Sequence, residues 1–91
     1  MLVSFHAIDR PDAAAVRTAT RAAHLAFHAD RGNLVGGPMR DASGEVCGSL
    51  IIFEAPELEA ARAEMAHDPY VVAGLFETIT ITEFVAVDWP T

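Results

Sequence analysis

One stretch near the end of the chain decides the fold, and it reads FETITITEFVAV over residues 76–87. Its centre alternates strictly, with one face carrying Thr78, Thr80 and Thr82 and the other carrying Ile79 and Ile81. Side chains of a β-strand point alternately to its two faces, and β-branched residues favour strands. The stretch therefore predicts a strand, and the same parity puts Phe76 and Phe84 on the threonine face.

Working outward from this strand, the sequence predicts three more strands and two helices. The strands cover residues 2–8, 33–39 and 46–54, and the helices cover residues 12–31 and 56–67. Asp12 is predicted to cap the first helix and Gly32 to end it, while Pro56 suits the first turn of the second helix. Asp68 followed by Pro69 predicts the N-cap and first position of a further short helical turn.

The order of these elements is β-α-β-β-α-β, which is typical of the ferredoxin-like arrangement. This α+β fold is one four-stranded antiparallel sheet with two helices on one face. The first strand is apolar on both of its faces, with Leu2 and Ile8 on one side and Val3 and Phe5 on the other. An uncovered apolar face favours a homodimer whose two sheets pack face to face and enclose a chamber lined by the threonines.

The composition predicts one domain over residues 1–91. The chain is 52% hydrophobic, which is typical of a globular protein and too apolar for a disordered one. A domain of this size buries a modest share of its surface, and the single Cys47 excludes an internal disulfide. A second subunit is therefore the expected source of additional burial.

The charge balance narrows the class of partner. The formal net charge is −7, and all six basic residues are arginines. Such a chain is not expected to bind nucleic acid or an anionic membrane surface. No segment approaches the roughly 20 apolar residues of a membrane-spanning helix, and the first residues lack the pattern of a signal peptide, which predicts a cytoplasmic protein.

The first helix carries two of the four histidines. Its apolar stripe at 100° per residue consists of Val16, Ala19, Ala23, Ala26 and Phe27, whereas Arg17, Arg21 and His28 lie off that stripe. His24 falls between the two groups, so it is either a surface imidazole without a role or a general acid or base at the edge of a cavity. His24 and His28 also have the i, i+4 spacing of two metal ligands. The sequence fixes no third ligand, so no metal site is assigned.

Several other residues have a structural and a functional interpretation. Asp68 is a helix cap, and the same carboxylate can also orient an imidazole by a hydrogen bond. Asp9 is either a turn residue or a second acid. The Gly36-Gly37-Pro38 segment is more typical of a bent strand than of a nucleotide-binding loop. Cys47 has no basic neighbour in sequence and is interpreted as a strand side chain.

Taken together, these segments resemble a known family. The matching motifs are the strand ending in Asp9, Arg21-Ala-Ala-His24, Leu34-Val-Gly-Gly-Pro-Met39, Phe53-Glu54, and Asp68-Pro69-Tyr70 with Gly74. In this order and spacing they resemble the YCII-related (YciI-like) domain family over essentially the whole chain. The resemblance implies a ferredoxin-like fold assembled into a dimeric α+β barrel.

The resemblance also implies a site. The family's active-site histidine falls on His24 and its aspartate on Asp68, and Asp9, Gly37 and Pro38 line the same region. Tyr70, from the same motif as Asp68, is expected to contact the substrate. One relative in this family is a dehydrochlorinase of a chlorinated hydroxyhydroquinone, which implies chemistry on a small cyclic molecule.

The leading hypothesis is a cofactor-independent lyase, isomerase or dehydrochlorinase acting on a small-molecule substrate. His24 would move the proton, Asp68 would orient His24, and Arg21 would hold an anionic group of the substrate. The alternative is a non-catalytic dimeric module in which the same chamber binds a ligand.

Overall fold

The computed structural model describes residues 1–90 and shows an antiparallel sheet with helices on one face. In chain order the elements are β1 (Leu2–Asp9), α1 (Ala14–His28), β2 (Val35–Arg40), β3 (Val46–Glu54), α2 (Leu58–Met65), α3 (Pro69–Val72) and β4 (Phe76–Glu83). The four strands lie in the order β2-β3-β1-β4, and all neighbouring pairs are antiparallel. The predicted ferredoxin-like α+β fold is confirmed, and β3 has the predicted bounds.

Both longer helices are shorter than predicted. Asp12 is not the cap of α1, because its φ of 57° lies in the left-handed region and Ala13 precedes the helix without a side-chain cap. Three residues of turn and bend separate His28 from Gly32. Helix α2 begins only at Leu58, because Glu57 has an extended backbone with φ −158°.

Strand β4 ends at Glu83 rather than at residue 87. Its one neighbour in the sheet is β1, which begins at Leu2 and pairs Val3 with Glu83. The last hydrogen bond along this edge joins the Phe84 N–H to the Leu2 carbonyl at 3.0 Å. Beyond this point, the described residues offer no further strand with which the backbone could pair.

Phe76 does not lie on the threonine face, which corrects the prediction from parity. The register of β1 and β4 shifts between Ile8 and Asp9, so Ile8 pairs with Thr78 and Asp9 pairs with Phe76. A bulge of this kind turns the side chains beyond it to the other face. Phe76 is consequently buried on the helix side, where its ring meets Phe5 edge-on at a centroid distance of 5.7 Å.

The hydrophobic core lies between this side of the sheet and helices α2 and α3. Its main side chains are Val3, Phe5, Ile51, Phe53, Met65, Tyr70, Leu75 and Phe76. Helix α2 packs against the sheet through Ala61 and Met65, which are buried, and through Leu58, which packs against the core. Ala7 and Ala55 complete the core near the two ends of β1.

Helix α1 is different, because none of its residues is fully buried. The predicted apolar stripe was assigned to the wrong face: Val16, Ala19, Ala23 and Ala26 are exposed. The residues that α1 half-buries include Arg17, His24, Phe27 and His28, which carry mostly polar groups. Alanine offers little apolar area, so ion pairs and hydrogen bonds decide which side of this helix faces inward.

The other face of the sheet is open. Its threonine ladder and its apolar side chains lie exposed, with Val35 62%, Ile8 39% and Leu50 37% accessible. Register places these residues opposite the helix side of the sheet. Among residues 1–90, no helix combines the length and apolar character that crossing a membrane requires.

Candidate active site

A cavity of about 360 Å³ lies between α1 and the helix side of β2 and β3. The polar residues and glycines that line it are Arg17, Thr18, Arg21, His24, His28, Asn33, Gly36, Gly37, Ser49 and Tyr70, and Pro38 lines it as well. Gly36 faces α1 without a side chain, which keeps the space between the helix and the sheet open. The pocket lies on the helix side of the sheet, whereas the chamber predicted from the sequence would lie between two subunits on the threonine face.

Asp68 lies behind this pocket and organises it. Its side chain has no exposed surface, and one oxygen accepts a hydrogen bond from the Tyr70 backbone N–H at 2.8 Å. The same carboxylate lies 2.9 Å from Nδ1 of His24 and 2.7 Å from Nε2 of His28. Asp68 therefore caps α3, as its place before Pro69 predicted, and also binds an imidazole.

The carboxylate of Asp68 remains ionised despite its burial. Burial alone would raise its pKa, but hydrogen bonds from His24 and His28 and from the Tyr70 N–H outweigh burial and lower the pKa to about 2. An ionised carboxylate has no proton to donate and can only accept. Both histidines must therefore place an N–H on the nitrogen that faces Asp68.

The hydrogen bonds fix which nitrogen of each ring carries the proton. Asn33 donates from Nδ2 to Nδ1 of His28 at 3.1 Å, so the proton of a neutral His28 sits on Nε2 and points to Asp68. His24 donates from Nδ1, and its Nε2 has no hydrogen-bond partner among residues 1–90. No buried side-chain nitrogen or oxygen in that part of the chain lacks a partner. Nε2 of His24 is therefore accessible, and His24 lines the pocket.

An aromatic stack holds the ring of His24 in place. Tyr70 stacks on it at a centroid distance of 3.9 Å and an interplanar angle of 17°. His28 meets His24 edge-on at 4.6 Å. Tyr70 is 2% exposed and belongs to the hydrophobic core, so the stack connects the imidazole to that core.

Arg17 is the principal residue that the sequence interpretation missed. Its Nε and Nη2 donate to the two oxygens of Asp9 at 2.9 and 2.7 Å, and Nη2 also donates to the Ser49 hydroxyl at 3.0 Å. Its Cζ lies 4.9 Å from the centroid of the Tyr70 ring. The spacing of Arg17, His24 and His28, seven and four residues apart on one helix, was the signal that could have grouped them.

The other predicted site residues occupy different places. Arg21 is an exposed wall residue of the pocket, and Gly37, Pro38 and Tyr70 also line it. Asp9 does not form part of the wall, because its carboxylate is engaged by Arg17.

His6, Cys47 and a second cavity lie outside this pocket. His6 is exposed on the open face of the sheet, where it pairs with Leu50 and Thr80. Cys47 is half-buried on β3 and is not a wall residue of the pocket. The second cavity, by contrast, lies around Met39 and Leu50 and has few polar groups.

The His24, His28 and Asp68 cluster could also hold a metal ion. One nitrogen of each ring and one carboxylate oxygen lie within 4.8 Å of one another, which supplies the third donor that the sequence left open. Nitrogen and oxygen donors of this kind suit Zn²⁺ and related ions. A metal would take the place of the two protons shared with Asp68, so the hydrogen-bonded cluster and a metal centre are alternative states of the same residues.

Comparison with known proteins gives close matches over most of the chain. The family model of the YCII-related domain matches residues 1–85. Protein YciI of Escherichia coli is 35% identical over 94 aligned residues, covering 92% of this chain and 96% of the relative.

Two solved structures share the fold. The 5-chloro-2-hydroxyhydroquinone dehydrochlorinase TftG from Burkholderia phenoliruptrix, in complex with 2,5-dihydroxybenzoquinone, has a TM-score of 0.87 and 30% identity, covering 93% of this chain and 94% of that one. Rv0793 from Mycobacterium tuberculosis has a TM-score of 0.57 and 16% identity, covering 99% of this chain and 97% of that one. At this identity the similarity supports only a shared fold. With a family model that spans nearly its whole length and a relative above one-third identity, the chain belongs to the YCII-related domain family.

Proposed function

We propose that this protein is a cofactor-independent acid/base enzyme, of the lyase or isomerase type, that acts on a small oxygenated ring. The observation that carries the proposal is the state of His24: its Nδ1 is bound to a buried, ionised carboxylate, its Nε2 is accessible, and the residue lines the pocket. A neutral imidazole held in this way presents a lone pair to a ligand and can accept a proton.

Asp68 acts as a positioning residue in this scheme. Its carboxylate keeps the proton of a neutral His24 on Nδ1 and stabilises the imidazolium that forms when Nε2 gains a proton. His28 and the Tyr70 N–H hold the carboxylate in turn, so the orientation does not depend on one hydrogen bond. The arrangement is prepared before the ligand binds, which is what an efficient proton acceptor requires.

The relative TftG suggests the class of reaction. Its name describes a dehydrochlorinase of 5-chloro-2-hydroxyhydroquinone, and the bound molecule in that structure is 2,5-dihydroxybenzoquinone. Loss of HCl removes one proton and one chloride ion from the substrate, so the reaction needs a base and consumes no oxidant. A single histidine can take one hydroxyl proton and return it to the ring carbon that bears the chlorine. It can then take a second hydroxyl proton as the C–Cl bond breaks and chloride leaves, so the net loss is one proton and one chloride ion, which fits a site with one accessible imidazole.

We further propose that the protein is a homodimer formed through the open face of the sheet. The exposed threonine ladder and the apolar residues Ile8, Val35 and Leu50 lie on this face. Burial of such a surface by a second copy would supply the stabilisation that a small domain lacks.

For the catalytic role of His24, we predict that His24→Gln lowers turnover about 10²- to 10⁴-fold, the usual contribution of a general base. The probe is 5-chloro-2-hydroxyhydroquinone in oxygen-free buffer, and the measurement is the rate of chloride release. His67→Gln changes an exposed histidine at the end of α2 and is the matched control, with wild-type turnover expected.

Equal chloride release by wild-type and His24→Gln protein would contradict this role. A wild-type protein that binds 2,5-dihydroxybenzoquinone and releases no chloride would instead support the alternative, a binding module without catalytic activity.

For Asp68, the lowered pKa predicts how stability depends on pH. The ionised carboxylate stabilises the fold at pH values above about 4, and this contribution is lost as the pH falls through the folded-state pKa of about 2. Asp68→Asn should therefore lower the free energy of unfolding by about 2 kcal/mol near neutral pH and by much less near pH 2. Urea unfolding of both proteins across this range measures the difference.

The matched control is Asp30→Asn, which changes an exposed carboxylate just after α1. Its free energy of unfolding should stay within about 0.5 kcal/mol of the wild-type value throughout. A constant difference between wild-type and Asp68→Asn protein at all pH values would contradict the ionised state of Asp68.

For the dimer, light scattering at micromolar concentration should give twice the protomer mass of 9.7 kDa. Leu50→Glu places a charge on the open face and should shift the mass toward that of a single protomer, because the charge would be buried in the interface. A wild-type mass of one protomer would exclude the proposed interface.

A further inference from the structure

We infer that Arg17, rather than Arg21, binds the substrate. Its Nη1 donates a hydrogen bond to a hydroxyl oxygen of the substrate ring and stabilises the negative charge that this oxygen gains when His24 accepts its proton. The inference rests on the proposed acid/base function, and it adds the residue that stabilises the negative charge on the substrate. It also narrows the substrate class to phenols or enols, whose oxygen can lose a proton while the ring stays planar.

Two of the three nitrogens of the Arg17 guanidinium are occupied by hydrogen bonds. Nε and Nη2 are engaged by Asp9 and Ser49. Nη1 makes no hydrogen bond of 3.5 Å or less among residues 1–90, although the side chain of Tyr70 lies close enough to the guanidinium to interact with it. Because no buried side-chain polar atom there lacks a partner, Nη1 must lie at an accessible surface. The Arg17 side chain is only 12% exposed and lines the pocket, so the surface available to Nη1 is the pocket wall.

The guanidinium of Arg17 is also firmly held. Asp9 grips the guanidinium with both oxygens and stands at the end of β1, while Ser49 is buried on the neighbouring β3. Bidentate pairs of this kind fix the plane of a guanidinium. Burial disfavours the charged form of Arg17, but Asp9 and the adjacent Tyr70 outweigh it and raise its pKa, so the donor stays protonated.

Arg17 lies near the base, His24. Arg17 and His24 both contact the ring of Tyr70, at 4.9 and 3.9 Å, and both project from the same side of α1. Both residues also line the same pocket, so a ring bound there lies within a cavity that His24 and Arg17 share. Donors fixed in advance where negative charge develops are the most effective form of electrostatic stabilisation.

The charge of Arg17 also bears on the kind of ligand. Asp9 already balances the guanidinium charge, so Nη1 offers a directed N–H rather than a free cation. Such an N–H donor suits a substrate oxygen whose negative charge is delocalised over a conjugated ring. Arg21, by contrast, is exposed at the wall and has no hydrogen-bond partner within residues 1–90 that would fix its position.

The test is a binding measurement, which needs no turnover. The probe is 2,5-dihydroxybenzoquinone, titrated by calorimetry into wild-type protein and into Arg17→Gln and Arg40→Gln variants. Loss of a charge-assisted hydrogen bond should weaken binding to Arg17→Gln roughly ten- to hundredfold. Arg40→Gln removes an exposed arginine outside the pocket and should bind as wild type does.

Two further arms separate this inference from the catalytic proposal. His24→Gln should lose turnover and keep binding of the probe within a few-fold, because the oxygen is bound by Arg17. The analogue 2,5-dimethoxybenzoquinone has no ionisable oxygen and should bind wild-type and Arg17→Gln proteins equally weakly. Arginine-dependent binding without turnover would leave this inference standing while the catalytic proposal fails.

If Arg17→Gln does not fold, the arginine side-chain NMR signals of the wild-type protein give the same answer. Saturation with 2,5-dihydroxybenzoquinone should shift the Arg17 signals more than those of Arg21. Wild-type protein that does not bind the probe, an Arg17→Gln protein that binds it within twofold of wild type, or a shift confined to Arg21 would overturn the inference.

Discussion

The buried carboxylate of Asp68 is the constraint on which the rest of the site depends. It begins α3 by accepting the Tyr70 N–H, and it fixes two histidines that project from α1. A fully buried charge is costly unless its hydrogen-bonding capacity is satisfied, and here three donors satisfy it. The consequence is that α1 is attached to the domain through polar contacts, while α2 is attached through the hydrophobic core.

This mode of attachment explains why a pocket exists at all. A helix that packed on the sheet through large apolar side chains would fill the space in which the pocket lies. Helix α1 has alanines on its outer side and Arg17, His24 and His28 on its inner side, and Gly36 leaves the opposite wall without a side chain. The polar side chains of this helix make hydrogen bonds to Asp9, Asp68 and Ser49. These bonds hold the side chains at the wall of the cavity, so they do not fill it.

The sequence was sufficient for the fold because local patterns and global topology agree. The alternation of β4, the bounds of β3 and the cap at Asp68 all follow from period and residue type. The errors occurred where a distant contact decides the outcome. The bulge that buries Phe76 depends on the register with β1, and Asp12 adopts a left-handed conformation although its type favours a cap.

The site could be predicted only in part for the same reason. His24 and Asp68 came from the family resemblance and a motif, whereas the role of Arg17 depends on Asp9 and Ser49 from two different strands. The apolar stripe of α1 predicted the wrong inward face because a simple count of apolar residues treats alanine like leucine. An alanine side chain buries far less apolar area than a leucine side chain. A polar stripe with spacings of seven and four residues was the better indicator of the inward face.

The account depends most directly on the protonation pattern that Asp68 imposes on His24. A long-range ¹H–¹⁵N NMR spectrum, recorded at a pH at which the spectrum itself shows a neutral ring, distinguishes the two tautomers. If Asp68 fixes the tautomer, His24 carries its proton on Nδ1 and leaves Nε2 as a free acceptor facing the pocket. A neutral His24 with its proton on Nε2 would contradict it, since the ring could then offer the ligand no base.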